Sequence, residues 1–412
     1  MPDAQLYQQI LGLVRPWRVA RVTMKCEERS IEVEVVCDEE VWACLTCRAR
    51  AHVHGYEKRR WRHLDSCQFK TILVADMPRV KCEEHSTVAV QVPRAEKYSR
   101  FTAFFERLAI DLMLECSVSA ACEILGINWN EANGIKQRAV ARGLDRRTAE
   151  PMQRLCVDEK SFGRGHDYVT IVARANTEGA ATVAHIADGR ETASLDSFWN
   201  SLSPEQLASV RAVGMDCWEP YLLSTRAHLP EADSKIVHDP FHLVRHLNRA
   251  LDQVRIAECR ALKALGDERL KGSKQLWLYG FENIPDRWSQ RLDELRGQKL
   301  KTSRAWAIKE YFRAMWACRG IGEARAFFQD WYNWAIRSRL KPIQRVARMF
   351  RRHAQRILQV FVHRLTNAAS EGLNNKIQTL IKKAYGYRNR SRFKTDIFFH
   401  CGGLDLYPAF SQ

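Results

Sequence analysis

Three acidic residues and one cysteine–histidine quartet carry the chemistry that the residue types and spacing of this chain allow. Asp158 closes the apolar run LCVD and Asp216 closes VGMD, so each belongs where a buried strand emerges from a sheet. Glu371 stands near the start of SEGLNNKIQTLIKKAYG, in which Leu373, Ile377, Leu380, Ile381 and Ala384 form an apolar stripe at helical spacing. Glu371, Asn375, Gln378 and Lys382 share the opposite face. Carboxylates converging from separate places in a chain suit metal-dependent phosphoryl transfer, in which two Mg2+ ions about 3.5 to 4 Å apart straddle a scissile phosphate. Each also has a plainer reading: an Asp at a strand end caps a turn or helix, and a Glu in a first helical turn is favoured by the helix dipole. Cys44 and Cys47, then Cys82 and His85, have C-x2-C and C-x2-H spacing, two pairs that fit a tetrahedral structural Zn2+ site. Buried thiols beside a surface histidine are the alternative.

Around that quartet, Cys37, Cys67, His52, His54 and His63 lack knuckle spacing and read as packed or solvated residues. Lys58, Arg59, Arg60 and Arg62, with Tyr56 and Trp61 among them, could follow a phosphate backbone or form a solvated edge. Further along, Cys122, Leu125, Gly126, Ala132 and Ile135 fall where a helix-turn-helix needs small, turn and inward-facing residues. Asn128, Trp129, Asn130, Asn133, Lys136 and Gln137 are then available to a DNA groove, unless this is an ordinary helical hairpin.

The elements that must position these groups change character along the chain. From about residue 18 to 95, short β-rich runs such as IEVEVVC and KTILVADM alternate with turns. From Phe101 to Leu144 the periodicity predicts three or four amphipathic helices. RLCVDEKS, YVTIVARAN and ATVAHIAD are three consecutive strands. Helices then alternate with strands at VRAVGMD and KIVHDP, giving a mixed sheet flanked by helices. From about 241 to 385 the chain is helical, with six tryptophans between Trp277 and Trp334 that read as core.

At 412 residues the chain is long enough for two to four domains. Its 65 Lys and Arg against 48 Asp and Glu give a charge of +17, which favours a polyanionic partner: nucleic acid, or an anionic membrane surface. Residues 341 to 356 and 376 to 394 carry six and seven Lys or Arg with no acidic residue and could track phosphates. Thirteen scattered cysteines make a poor disulfide framework. No window approaches about 18 uncharged apolar residues and no signal peptide is evident, so the expectation is a cytoplasmic, nucleoid-associated protein without a membrane partner.

Four blocks in order resemble the ISL3 family of bacterial insertion-sequence transposases, in the DDE superfamily with a ribonuclease H-like core. They are Val157-Asp158-Glu159 with GHDYVTIV, GMDCWEPY from Gly214, VHDPFH from Val237 leading into LNRALDQVR, and TNAASEGLNNKI from Thr366 with AYGYRN after it. The blocks span about 155 to 395, and the finger and helix-turn-helix extend the likeness across nearly the whole chain. The resemblance implies a catalytic triad of Asp158, Asp216 and Glu371 holding Mg2+ or Mn2+. It also implies a helical insertion before Glu371, and a D-x2-H element at Asp239 and His242 whose histidine contacts DNA or is incidental. Glu159 should face away from Asp158 on an extended strand and stays outside the triad. His85, where the family's second knuckle ends in Cys, is a departure.

The expected fold is multidomain α+β: a zinc-finger module at 1–98, a helix-turn-helix region at 99–150, a ribonuclease H-like mixed α/β core at 151–250 and 360–400 interrupted by a helical insertion at 251–359, and a tail at 401–412. The expected function is cleavage and transfer of DNA strands at terminal inverted repeats. The partners are double-stranded DNA, both repeats and target, and further copies of the chain in a homodimer or higher oligomer. Asn128, Asn130, Asn133, Lys136, His242, Lys376, Lys382, Lys383 and Arg388 are the expected DNA contacts. A domesticated DNA-binding protein without transposition activity and an unrelated zinc-dependent hydrolase are the rival readings.

Overall fold

The structure is a computed structural model that describes residues 3–39, 41–44, 47, 49–90, 95–96, 99–163, 167–175, 180–365 and 368–409, without the side chains of 86–89 and 368–370. Thr366, Asn367 and the Gly165-His166 pair of the family-like blocks lie outside the described residues. The chain forms two compact units, residues 1–147 with 391–412, and residues 148–390.

In the first unit, helix α1 (Asp3–Leu11) precedes strands β1 (Trp17–Lys25), β2 (Ser30–Cys37), β3 (Val41–Ala43), β4 (Arg50–Arg62), β5 (Lys70–Cys82) and β6 (Ser86–Ala89). The strands form one sheet in the order β1-β2-β5-β4-β3, with β6 on β5. β2 illustrates the cause. Ile31, Val33 and Val35 are buried while Glu32 and Glu34 alternate outward, the two-residue period of a half-buried strand. That face closes over Tyr7, Leu11, Trp17 and Trp61.

Three helices follow, α2 (Ala103–Glu115), α3 (Val118–Leu125) and α4 (Trp129–Asp145). Their ends are written in the sequence. Thr102 and Ser117 cap α2 and α3, and Gly126 ends α3 at φ 63°, a left-handed conformation that glycine adopts without a Cβ clash. Asn128 and Glu131 then start α4 with a reciprocal capping box. Ala121, Cys122, Leu125, Ala132 and Ile135 are buried between the helices, as the helix-turn-helix spacing requires. The C-terminal helix (Arg390–Cys401) and the segment after it add Phe399 and Leu406 to this same core. The compact division therefore differs from the sequence-based boundaries, which assigned residues up to 400 to the catalytic core and the rest to a tail. Phe399 and Leu406 are too widely spaced, and too far along the chain from α2–α4, to announce which core they join.

The second unit opens with β7 (Arg154–Ser161), β8 (Tyr168–Ala175) and β9 (Ala181–Asp188), followed by α5 (Thr192–Trp199), α6 (Pro204–Ser209), β10 (Ala212–Met215), α7 (Glu219–His228), α8 (Ala232–Lys235) and β11 (Ile236–His238). The sheet order is β11-β10-β7-β8-β9. β7, β8 and β9 are successively antiparallel, while β10 runs parallel to both β7 and β11. This order and polarity are those of a ribonuclease H-like core, with α5 and α7 packed together beside the sheet. A helical segment succeeds it: α9 (Pro240–Lys263), α10 (Lys274–Leu278), α11 (Asp286–Arg296), α12 (Lys301–Ala314), α13 (Ile321–Arg337), α14 (Lys341–Arg352), α15 (Ala354–Leu358) and α16 (Val360–His363). Trp277, Trp306 and Trp331 are buried in its own core, and Trp288 and Trp316 pack against it, in keeping with the core reading, whereas Trp334 is 40 % exposed and departs from it. Finally α17 (Ala368–Lys383) returns to lie against β8 and β9, burying Leu373 and Ile377.

Candidate functional site

Sheet register brings the two aspartates together. Ala212, Val213 and Gly214 pair in parallel with Arg154, Leu155 and Cys156, and the same register carried two residues further sets Asp216 beside Asp158. Each emerges from a buried run, Leu155 to Val157 and Ala212 to Met215 respectively. Asp158 is held from α17: Asn374 Nδ2 donates to Asp158 Oδ2 at 2.5 Å. Glu371 stands one turn before Asn374 in the first turn of α17, with its side chain exposed. Among the described residues, Asp158, Asp216 and Glu371 do not converge into one close ligand group; what the fold supplies is the neighbouring register of the two aspartates and the placement of Glu371 on the helix that bonds Asp158.

The electrostatics of this strand edge suit a cation. Burial raises the pKa of Asp158 against the opposing pull of Asn374 and His242. His242, on the first turn of α9, lies with Nδ1 2.9 Å from Asp239 Oδ2. Burial disfavours its charged form, but Asp239, Asp216 and Asp158 outweigh that and lift its pKa to about 9. His246, one turn further, also feels Asp216. Two partly desolvated carboxylates that recruit an imidazolium are oxygen donors short of positive charge, so the donor set fits a hard divalent cation.

Glu159 lies on the other side of the strand, as alternation requires. It is paired across the ladder with Thr170, whose hydroxyl meets Tyr221 Oη of α7 at 2.8 Å. Its pKa is nevertheless raised, by burial first and then by Asp158 and Asp216, so it shares their field without sharing their face. Asn374 and His246 are neighbours that sequence reasoning passed over. Asn374 was within reach, being three residues from Glu371 on one helix.

In the first unit, the ligand atoms of Cys44, Cys47, Cys82 and His85 all lie within 4.8 Å of one another. Cys47 Sγ and Cys82 Sγ are 3.5 Å apart, and Cys82 Sγ lies 3.8 Å from His85 Nδ1. These spacings approximate the edges of a tetrahedron with metal–ligand bonds of about 2.0 to 2.3 Å. His85 lowers the pKa of Cys82, towards the thiolate that a metal needs. The first pair lies between β3 and β4 and the second between β5 and β6, the two-turn placement of a zinc ribbon. Of the spare candidates nearby, His63 is buried and meets Thr102 Oγ1 at 2.9 Å.

The helix-turn-helix residues divide. Asn133 is half-buried, and Trp129 and Gln137 are exposed on α4. Asn130 Oδ1 accepts from Arg392 at 3.1 Å. Asn128 departs from the groove-reading expectation, because its Oδ1 accepts the backbone N–H groups of Asn130 and Glu131. Lys136 departs further. It is 3 % exposed and ion-paired with Asp396 of the C-terminal helix, so its ammonium is neutralised inside the unit instead of being offered to phosphate.

The basic stretches also divide. Arg356 is buried against Asp233, and Arg390 pairs with Asp167 and Asp188. Lys376, Lys382, Lys383 and Arg388 have exposed side chains. Arg345, Arg348, Arg351 and Arg352 of α14 line a cleft of about 730 Å³ that also includes His246 and Tyr332.

A ribonuclease H-like sheet with one aspartate within its central strand β7 and a second just past the end of the neighbouring β10, followed by a helical insertion and a Glu371-bearing helix bonded back to the first aspartate, defines a DDE-type enzyme acting on DNA. Comparison with known proteins agrees along the chain. Residues 155–397 match the DDE-type ISL3 family profile, described as transposase. Residues 40–85 match the zinc-finger of transposase IS204/IS1001/IS1096/IS1165, and residues 90–140 the helix-turn-helix domain of transposase family ISL3. This chain belongs to the ISL3 family of transposases. Among its relatives are the transposase for insertion sequence element IS1001 of Bordetella parapertussis, 25% identical over 89% of this chain and 90% of the relative, and that for IS1557 of Mycobacterium tuberculosis, 27% identical over 94% and 93%.

Proposed function

We propose that this chain recognises the terminal inverted repeats of a bacterial insertion sequence, cuts DNA strands there and joins the freed ends to target DNA, using Asp158, Asp216 and Glu371 as ligands for two Mg2+ or Mn2+ ions. The observation that carries this reading is the register alignment of Asp158 with Asp216, together with the Asn374 bond that ties the Glu371 helix to Asp158. Bound there, the ions would neutralise charge on the phosphate and activate the attacking hydroxyl. The chain's own residues do the positioning. Asn374 fixes the direction of one Asp158 oxygen. His242, beside Asp239, places its ring next to the carboxylates, where a phosphate would lie. The arginines of α14 hold the DNA backbone in their cleft, and Lys376, Lys382, Lys383 and Arg388 extend the contact.

In the first unit, Cys44, Cys47, Cys82 and His85 hold Zn2+ and stabilise the ribbon. Trp129, Asn130, Asn133 and Gln137 read the repeat from α4. Two element ends must be processed together, and a homodimer or higher oligomer supplies a catalytic centre for each. The test is metal dependence: the purified zinc-loaded chain should cleave duplex DNA carrying its terminal repeats only on addition of Mg2+ or Mn2+. Undiminished cleavage with zinc present and no other divalent ion would overturn the reading in favour of zinc-dependent hydrolysis.

A further inference from the structure

Outside the carboxylates, the second unit holds a cluster that the transposition chemistry does not use. Cys217 follows Asp216 directly, His238 ends β11, and His353 lies at the joint between α14 and α15. Their ligand atoms all lie within 4.8 Å of one another, and His238 is fully buried. Its hydrogen-bond partners decide what the cluster lacks. His238 Nδ1 lies 3.3 Å from the carbonyl oxygen of Met215, to which it donates, so Nε2 carries the lone pair. Arg356 Nη1 lies 2.9 Å from His353 Nδ1 and has only protons to give, so that nitrogen also carries a lone pair. His238 Nε2 and His353 Nδ1 lie 3.3 Å apart with no ring proton between them, the His353 lone pair being taken by Arg356. Burial lowers the pKa of both rings, which keeps them neutral.

Two unprotonated ring nitrogens and a thiol at these distances are a nitrogen–sulfur donor set that a metal ion can occupy by displacing Arg356 from His353. With Zn–N bonds of about 2.0 to 2.1 Å, the nitrogen–nitrogen edge of a tetrahedron is about 3.3 Å, the separation found here. We propose that Cys217 Sγ, His238 Nε2 and His353 Nδ1 form a second zinc-class site, with a fourth position open to water or another donor. Nitrogen and sulfur donors select a borderline or soft ion over Mg2+, so this site and the neighbouring carboxylates take different metals. Cys217 binds as the thiolate and its proton passes to solvent. Arg356 can release His353 because its Nε already donates to Asp233 at 2.8 Å. The bound ion would fix the residue after Asp216 to the end of the helical insertion, making the direction of the Asp216 carboxylate depend on where that insertion sits.

The test counts metal in the full-length chain, purified with Zn2+ and dialysed. The expected result is two zinc ions per chain, falling by one in Cys217→Ser, by one in Cys47→Ser, and by two in the double variant. His353→Gln should lose the same single ion as Cys217→Ser while keeping the wild-type circular dichroism. A readout on the unmutated protein accompanies it. On Co2+ substitution, the sulfur charge-transfer band of the wild type should exceed that of Cys217→Ser by the contribution of one thiolate. Zinc content and Co2+ spectra unchanged by both Cys217→Ser and His353→Gln would overturn the assignment. Neither measurement involves DNA cleavage, so the outcome is independent of the carboxylate reading.

Discussion

A buried ammonium needs a buried anion, and the Lys136–Asp396 pair shows what such a pair does to a reading of α4 as a DNA-facing helix. Lys136 precedes the exposed Gln137, yet its own side chain points into the first unit. Removing one partner leaves a desolvated charge, which costs about 3 to 5 kcal/mol, whereas replacing both by apolar residues is close to neutral. Lys136→Met should therefore lower the stability of the first unit by about that amount, and Lys136→Met with Asp396→Leu should recover most of it. Denaturant titration of the two variants measures this. A single variant as stable as the wild type but poorer at binding DNA would return Lys136 to the phosphate contacts.

At the scale of elements, β4 and α2 meet at His63, whose ring bonds the Thr102 cap of α2. Burial, reinforced by Arg62 and opposed by Asp65, lowers its pKa from 6.5 to about 4. The unfolded chain therefore takes up a proton near pH 6.5 that the folded chain refuses until about pH 4. The contribution of His63 to stability is complete above pH 6.5 and is lost as the pH falls towards 4, by roughly 3 kcal/mol at most. Between pH 7.5 and 5 the urea midpoint of the wild type should fall more than that of His63→Gln. Any acid-induced loss of a metal held by the Cys44 quartet is common to both proteins, so the difference reports His63, and parallel falls would contradict it. The same junction marks the limit of what the sequence reveals. Alternation in IEVEVVC and the spacing of Cys122, Leu125, Gly126, Ala132 and Ile135 are local signals, and the strand and helices they announce are present. The pairings of Lys136 with Asp396 and of Asn374 with Asp158 join residues 260 and 216 positions apart, and no local period encodes them. Asp216 follows the end of β10 as its apolar run announces, whereas Asp158 lies inside β7, which continues to Ser161 through polar residues paired with β8; the neighbouring alignment of the two is a property of the parallel β7–β10 register.

At the scale of the whole molecule, a charge of +17 is distributed unevenly between internal pairs and open surface. Arg356 and Arg390 are engaged by carboxylates, so the charge offered to DNA is less than the basic stretches suggest. Lys382 and Lys383 are exposed at the end of α17, on the element that carries Glu371. Double substitution by Ala should weaken binding to many DNA sequences alike and reduce the salt dependence of log K by up to roughly two units. An unchanged slope would assign both residues to solvated surface.

As proposed, three carboxylates, from β7, from the turn after β10 and from α17, form one metal-dependent centre. Asp158→Asn, Asp216→Asn and Glu371→Gln each keep the shape of the acid and remove the charge that holds a hard cation. Binding to DNA ends should persist, since it rests on the ribbon, α4 and the basic surfaces. Glu159→Gln is the internal control, because its side chain lies across the strand from Asp158 and Asn374. The most direct measurement is the rate of Mg2+-dependent cleavage and joining of DNA carrying the terminal repeats, for these four variants beside the wild type. Loss of activity is expected in the first three with near-normal end binding, and a much smaller change in the fourth. Near-normal cleavage by Asp216→Asn or Glu371→Gln would contradict it.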